Sequence, residues 1–299
     1  MHILVTGAAG QLGYDVMNEL TRRHIPCTGS DLRPLENAAW PFRSSLDLTD
    51  EQSVREALLA LRPDAVIHCA AWTAVDQAED NPALVRAINA EGTAHIARAC
   101  KEIGAKMMYI STDYVFDGQG TTPWQPDCKA YAPLSVYGQT KLEGELAVSS
   151  LLERCFIVRI AWVFGLHGSN FIKTMLRLGQ THPEVRVVCD QIGTPTYTLD
   201  LARLLTDMIE REKYGCYHAT NEGGYISWAE FAEEIFRQAG MGTRVIPVTT
   251  QEYGISRAAR PFNSRLDRHK LGESGFVPLP DWRDALSRYL DALKQAQEL

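Results

Sequence analysis

His2-Ile3-Leu4-Val5-Thr6-Gly7-Ala8-Ala9-Gly10-Gln11-Leu12-Gly13 is a short apolar run that passes into three glycines, after which Leu12, Val16 and Leu20 recur at helical spacing. The order is strand, glycine turn, helix. Glycine lets the backbone come close to a pyrophosphate, and a helix start supplies free N–H groups and the positive end of a dipole. The spacing is G-x-x-G-x-x-G, not the commoner G-x-G-x-x-G, so alone the triplet is a weak sign and a plain turn is the alternative. Its place between a strand and a helix makes a dinucleotide site the better reading, with Gly7, Gly10, Gln11, Leu12 and Gly13 around the phosphates.

Outward from this point the cadence repeats. Residues 25–30 read as a second strand, ending at Asp31, which stands 18 residues beyond Gly13. An acidic residue about 20 positions on is placed to accept hydrogen bonds from an adenosine ribose. Arg33 is placed to take a 2′-phosphate instead, so NADH and NADPH both stay open. Leu46 to Leu48 pass under the adenine, with Asp47 and Leu48 as cofactor contacts, and Thr49 or Asp50 caps a helix carrying Val54, Leu58 and Leu61. Residues 64–71 form a third strand with a small-residue end, where Ala70, Ala71 and then Thr73 leave room for a ligand. His68 in that run has no carboxylate partner in sequence and reads as structural. A helix over residues 82–103 should turn Leu84, Ile88, Ile96 and Cys100 inward; Asn89 within it is either a surface position or a backbone clamp. Residues 107–110 form the fourth strand. Strand alternating with helix at this cadence predicts an α/β fold with a doubly wound parallel sheet, the Rossmann arrangement.

The fourth strand runs out into Ser111-Thr112-Asp113, and Tyr137-Gly138-Gln139-Thr140-Lys141 follows a loop punctuated by Pro123, Pro126 and Pro133. Tyr137 and Lys141 are four apart, so a helix places them on one face. An ammonium beside a phenol stabilises tyrosinate and lowers a pKa normally near ~10, which makes Tyr137 a proton donor. Ser111 or Thr112 completes the acid; Ser111, as the last strand residue, supports the site, and Thr112 is the hydroxyl expected to act.

Bulk properties bound the rest. The formal charge of -7 argues against nucleic acid and anionic membrane surfaces as partners. No apolar run approaches the ~20 residues of a membrane helix. The N-terminus lacks a basic region and cleavage site and reads as the first strand. The seven cysteines are scattered, without metal-ligand spacing, so buried reduced thiols and a cytoplasmic location are expected, with no metal site.

Beyond Gly165 the pattern changes. Phe171, Met175 and Leu178 mark an amphipathic helix, 185–188 a strand, Gly193-Thr194-Pro195 a turn, and Leu201, Leu204, Leu205 and Met208 a helix returning to the sheet. Residues 216–218 form a short strand. Ser227 and Glu230 have capping-box spacing before a helix with Trp228, Phe231, Ile235 and Phe236 on its inner face; residues 282–293 form a last helix.

Gly7-x-x-Gly10-x-x-Gly13, Ser111-Thr112-Asp113 and Tyr137-x-x-x-Lys141 together resemble the extended short-chain dehydrogenase/reductase family. Residues 73–79, 111–118 and 161–165, Asn170-Phe171, residues 190–196 and Arg260-Pro261-Phe262-Asn263-Ser264 narrow the resemblance to its dTDP-4-dehydrorhamnose reductases, over nearly the whole chain. The resemblance implies that Tyr137 protonates the C4 oxygen of dTDP-4-dehydro-L-rhamnose as hydride arrives, giving dTDP-L-rhamnose for cell-surface polysaccharide. It implies that Lys141 binds the nicotinamide ribose and holds the phenol acidic, that Thr112 hydrogen-bonds the same oxygen, and that Asp113 and Trp162 meet the sugar. Residues 1–165, with a returning segment near 190–218, would bind NADPH or NADH. Residues 166–189 and 219–299 would form a smaller α/β domain for the sugar nucleotide, with Arg257, Arg260 and Arg265 as candidate diphosphate contacts. Some members bind Mg2+ at a dimer interface. Asp15 fits that pattern, but Leu199 stands where another acidic ligand is expected, which argues against the metal-linked dimer; a monomer or a homodimer is expected. Two other readings are a sugar-nucleotide epimerase or 4,6-dehydratase, and a non-catalytic regulatory subunit of the same fold. Dehydratases need Asp-Glu after the Thr, and Asp113-Tyr114 lacks the Glu.

Overall fold

The computed structural model describes residues 1–33, 35, 39–44, 46–254 and 256–296, so the last three residues of the smaller domain expected above lie outside the described residues. The first half alternates as β1 (Ile3–Thr6), α1 (Gln11–Arg22), β2 (Cys27–Asp31), β3 (Phe42–Ser44), α2 (Glu51–Leu61), β4 (Ala65–His68), α3 (Val75–Asp80) and α4 (Pro82–Arg86). A π-helical turn (Ala87–Glu91), α5 (Gly92–Ile103), β5 (Lys106–Thr112), α6 (Val136–Leu151) and β6 (Cys155–Ile160) follow. The second half holds β7 (Val163–Phe164), α7 (Phe171–Thr181), β8 (Glu184–Val188), β9 (Ile192–Gly193), β10 (Thr196–Tyr197), α8 (Thr198–Ile209), β11 (Gly215–His218) and β12 (Asn221–Glu222). It ends with β13 (Ile226–Ser227), α9 (Trp228–Ala239), β14 (Arg244–Val248), α10 (Thr250–Tyr253), α11 (His269–Glu273), β15 (Leu279–Asp281) and α12 (Trp282–Gln295).

β1, β4, β5 and β6 are buried at every position, as strands covered on both faces must be, and they read as near-continuous apolar runs for that reason. They lie in a seven-stranded sheet of order β11-β6-β5-β4-β1-β2-β3. Every pairing in it is parallel. Strand order reverses between β1 and β4, where a crevice opens at the carboxyl ends of the strands. On one face Leu12, Val16 and Leu20 of α1 pack with Leu201, Leu205 and Met208 of α8. On the other, Val54 and Leu58 of α2, Ile96 and Cys100 of α5 and Val148 of α6 pack on Leu4, Val66 and Met107. A separate core joins α7, α9 and α12 to Val185 of β8 and Val245 of β14, which pair in parallel.

β3 is only three residues long, too short to carry a periodic signal. The second strand begins at Cys27, not at residue 25, because Ile25 N–H still bonds the Leu20 carbonyl and Pro26 has no N–H for a ladder. The helix over 82–103 is two α-helices joined by a π-helical turn, whose extra residue rotates the face ahead of it. Val85 is therefore the buried residue, while Leu84 is 47% exposed and Ile88 half-buried. Beyond α9 the chain also forms β14, α10, α11 and β15, short elements without a clear periodic signal in the sequence. Among the described residues no helix is long and apolar enough to cross a membrane, and all seven cysteines are free.

Candidate active site

At the switch point lies a cleft of about 880 Å³, lined by the residues expected to hold the cofactor and to act on the sugar but not by Arg257, Arg260 or Arg265. On one side are Gly7, Gly10, Gln11, Leu12, Gly13, Asp31, Asp47, Leu48, Ala70, Ala71 and Thr73; on the other are Thr112, Asp113, Tyr137, Lys141 and Trp162. Leu84, Ile88, Cys69, Trp72 and Ser169 line it too and were missed as site residues. Leu84 and Ile88 carried the apolar signal but were assigned to the core, because the π-turn is invisible to a regular helical period.

The glycine loop is shaped for close approach. Gly7 has φ +67°, and a Cβ there would stand 2.6 Å from the Ala70 nitrogen. A Cβ on Gly13 would collide with the Gly7 carbonyl. Such a cradle, at the first turn of α1, fits a dinucleotide pyrophosphate. Asp31 Oδ2 accepts from Ala9 N–H at 3.1 Å and its Oδ1 from Arg33 N–H at 3.2 Å, tying the glycine loop to the end of β2. Arg33 itself is exposed at the cleft edge. Asp47 closes a turn by accepting from Thr49 N–H at 2.9 Å, and Leu48 is buried against Val54 and Ile96. Gln11 Oε1 accepts from Asn170 Nδ2 at 3.2 Å, linking the loop to the start of α7.

His68 is buried between the Thr6 hydroxyl (2.6 Å) and the Thr93 hydroxyl (3.1 Å). Burial pushes its pKa down to about 3, so it is a neutral structural residue, as its sequence setting indicated. Asn89 is a backbone clamp. Trp72 N–H donates to its Oδ1 at 2.8 Å, and its Nδ2 donates to the Trp72 carbonyl at 3.1 Å and to the Thr140 hydroxyl at 3.2 Å.

Ser135 caps α6 by accepting from Gly138 N–H at 3.1 Å, which sets Tyr137 in the first turn and Lys141 one turn on. The Tyr137 phenol and the Thr112 hydroxyl line the same cleft, and Thr112 Oγ1 donates to Asp113 Oδ1 at 3.0 Å. Ser111 turns away and donates to Glu145 Oε1 at 2.5 Å. The electrostatics differ from the sequence expectation. Burial pushes the Tyr137 phenol up to about 12, with the nearby Thr112 hydroxyl acting in the opposite direction. Lys141 is not among the groups that shift the phenol; its Nζ donates to the Ile110 carbonyl at 2.7 Å over the face of Tyr109. Burial in turn brings Lys141 down to about 7.

Asp113 is buried, and burial raises its carboxyl to about 6. Its Oδ2 has no hydrogen-bond partner among the described residues, and an unpaired buried acceptor at a cleft is a place for a ligand hydroxyl. Trp162 sits at φ +51°, a left-handed conformation rare for a bulky residue. Its ring stacks on Trp228 at 3.7 Å between centroids, and a Cβ on Gly193 would stand 2.8 Å from it. The arginines named as diphosphate candidates are engaged with protein: Arg260 with Asp76 (2.6 Å), Arg257 with Asp80, and Arg265 with Asn263 Oδ1 (3.0 Å). Asp15 accepts from the Thr198 hydroxyl and is raised by burial, and Leu199 is half-buried in the α7/α9/α12 core. Among the described residues no three His, Cys, Asp or Glu side chains are grouped to hold a metal.

The RmlD substrate binding domain family matches residues 1–295. A dTDP-4-dehydrorhamnose reductase of Streptomyces griseus is 42% identical over 97% of this chain and 93% of its own length. The crystal structure of a dTDP-4-dehydrorhamnose reductase from Clostridium acetobutylicum is 40% identical, with a TM-score of 0.91 over 98% of this chain and 100% of that one. A dTDP-4-dehydrorhamnose reductase from Bacillus anthracis, solved in complex with NADP, is also 40% identical, with a TM-score of 0.89 over 97% and 99% of the two chains. With the glycine cradle, the Thr112/Tyr137/Lys141 cluster and likeness over nearly the full length in hand, the chain belongs to the RmlD substrate binding domain family.

Proposed function

We propose that this chain reduces the C4 keto group of dTDP-4-dehydro-L-rhamnose to dTDP-L-rhamnose with NADPH or NADH, the last step of dTDP-rhamnose synthesis. The observation that carries the reading is that Thr112, Tyr137 and Lys141 share one cleft with the glycine cradle. The nicotinamide, when bound, supplies hydride. Tyr137 gives its proton to the C4 oxygen, and Thr112 donates to that oxygen, so the developing charge meets preset donors in a buried site. Lys141 holds the nicotinamide ribose. Asp113 Oδ2 accepts from a sugar hydroxyl, and the Trp162 face, backed by Trp228, packs on the sugar ring. Residues 1–165 with 190–218 hold the cofactor; residues 166–189 and 219–299 cover the sugar nucleotide and exclude water. Oxidation of NADPH with dTDP-4-dehydro-L-rhamnose, and recovery of dTDP-L-rhamnose, tests this. Tight NADPH binding without turnover would sink it in favour of a regulatory subunit, and substrate conversion with no net NADPH oxidation in favour of an epimerase.

The Asp31 carboxylate is occupied by backbone amides and Arg33 stands exposed at the cleft edge, so Arg33 takes the 2′-phosphate. Arg33→Ala should raise KM for NADPH about 10-fold, the loss expected of one charge-assisted hydrogen bond, and leave KM for NADH nearly unchanged. Equal effects on both cofactors would refute it. Turnover should persist in EDTA without added Mg2+, given Leu199 beside the Thr198–Asp15 bond; complete loss, restored by Mg2+, is the contrary result.

A further inference from the structure

Three consecutive residues at the end of β5 are each bonded to one stripe of α6, and the fourth, Thr112, lines the cleft with Tyr137 of the same stripe. Tyr109 OH donates to the Lys141 carbonyl at 3.2 Å, Lys141 Nζ donates to the Ile110 carbonyl at 2.7 Å, and Ser111 Oγ donates to Glu145 Oε1 at 2.5 Å. Tyr137, Lys141 and Glu145 follow at four-residue intervals on that stripe. Glu145 and Arg159 are 2% and 1% exposed. Arg159 grips both carboxylate oxygens, at 2.8 and 2.7 Å, then donates to the Pro126 carbonyl and the Tyr131 hydroxyl, each at 3.1 Å. One carboxylate thus joins β5, β6 and the loop that returns the chain to Tyr137. A buried pair of this kind adds little stability over apolar packing of the same shape; what it supplies is geometry and charge.

We propose that Glu145 is a positioning residue of the proton-donating site: it holds α6 in register on the end of β5 and keeps Lys141 an ammonium. This rests on the carbonyl-reducing role given above to Tyr137 and Lys141. The groups facing the Lys141 ammonium are Glu145 on its own helix, Cys69 after β4, His68 on β4 and the Tyr109 ring on β5, 4.1 Å from Nζ. Burial keeps His68 neutral and holds the Cys69 thiol up at about 12. Tyr109 is likewise raised well above its ordinary value. Glu145 is the anion of the set, and its charge opposes the burial that draws Lys141 down.

The test is turnover and NADPH affinity against pH for the parent, Glu145→Gln, Glu145→Asp and the double variant Glu145→Gln/Arg159→Gln. The double variant avoids leaving Arg159 buried without its partner. Loss of the carboxylate should move the basic limb of both profiles down by about one pH unit, the low end for a nearby opposite charge, in the single and double variants alike. Glu145→Asp should restore the limb in part. A limb at the parent position in variants that keep the parent Tm, or a double variant that recovers limb and Tm together, would leave Glu145 a purely structural role and overturn the proposal. Absence of turnover in the parent overturns the functional reading instead; the NADPH affinity profile then still decides the role of Glu145.

Discussion

Tyr137→Phe is expected to lower turnover by about 100-fold or more while leaving NADPH affinity within a few-fold of the parent. Tyr137 lies in the first turn of α6, capped by Ser135, and its phenol shares the cleft with Thr112, which is itself bonded to Asp113. Removing the oxygen leaves the ring in place against Tyr114, whose edge contact at 5.4 Å between centroids is unaffected. Only the proton is lost. With the phenol held up at about 12, the parent keeps that proton across neutral pH, so donation is driven by the basicity of the new alkoxide and not by a pre-ionised tyrosine. Single-turnover rates with saturating NADPH would separate this from a binding defect, and parental rates in the variant would remove Tyr137 from the proton-donor role.

Lys141→Met should damage both turnover and NADPH binding, because the ammonium that holds the ribose also sets the nicotinamide against the carbonyl beside Tyr137. The same residue carries a stability consequence of opposite sign. Its pKa falls from an ordinary 10.5 to about 7 on folding, with burial as the leading cause. Between those values the unfolded chain binds more protons than the folded one, so stability rises with pH through that window. Below about 7 the folded chain carries the full cost of a buried charge. Lys141→Met escapes that cost, so its Tm should exceed the parent's by more at pH 6 than at pH 10. A variant with equal activity, or a Tm difference that grows with pH, would contradict the assignment.

How much of this was legible in the sequence depends on the range over which each feature is written. The glycine cradle, Asp31, and the Tyr137/Lys141 pair are local: a turn, a strand end and one helical face hold all the information. Asp113 and Trp162 were named by resemblance, and the cleft contains both. The π-turn at Ala87–Glu91 was not legible, because one added residue changes the phase without changing the apolar content. Nor were the partners of Trp162: Trp228 read as an inner-face core residue of α9, and only packing brings the two rings together.

The sequence by itself determined the alternation of strand and helix, the dinucleotide turn and the candidates for the proton donor, since periodicity and spacing act within single elements. Only the tertiary structure decided the electrostatic state of the site. Strand order and helix packing set which groups face each other and how much water each keeps, and those two quantities set a pKa. That is why Lys141 turns to the Ile110 carbonyl and Tyr109 ring, while Thr112 shares the cleft with the Tyr137 phenol and Glu145 stands one turn behind Lys141.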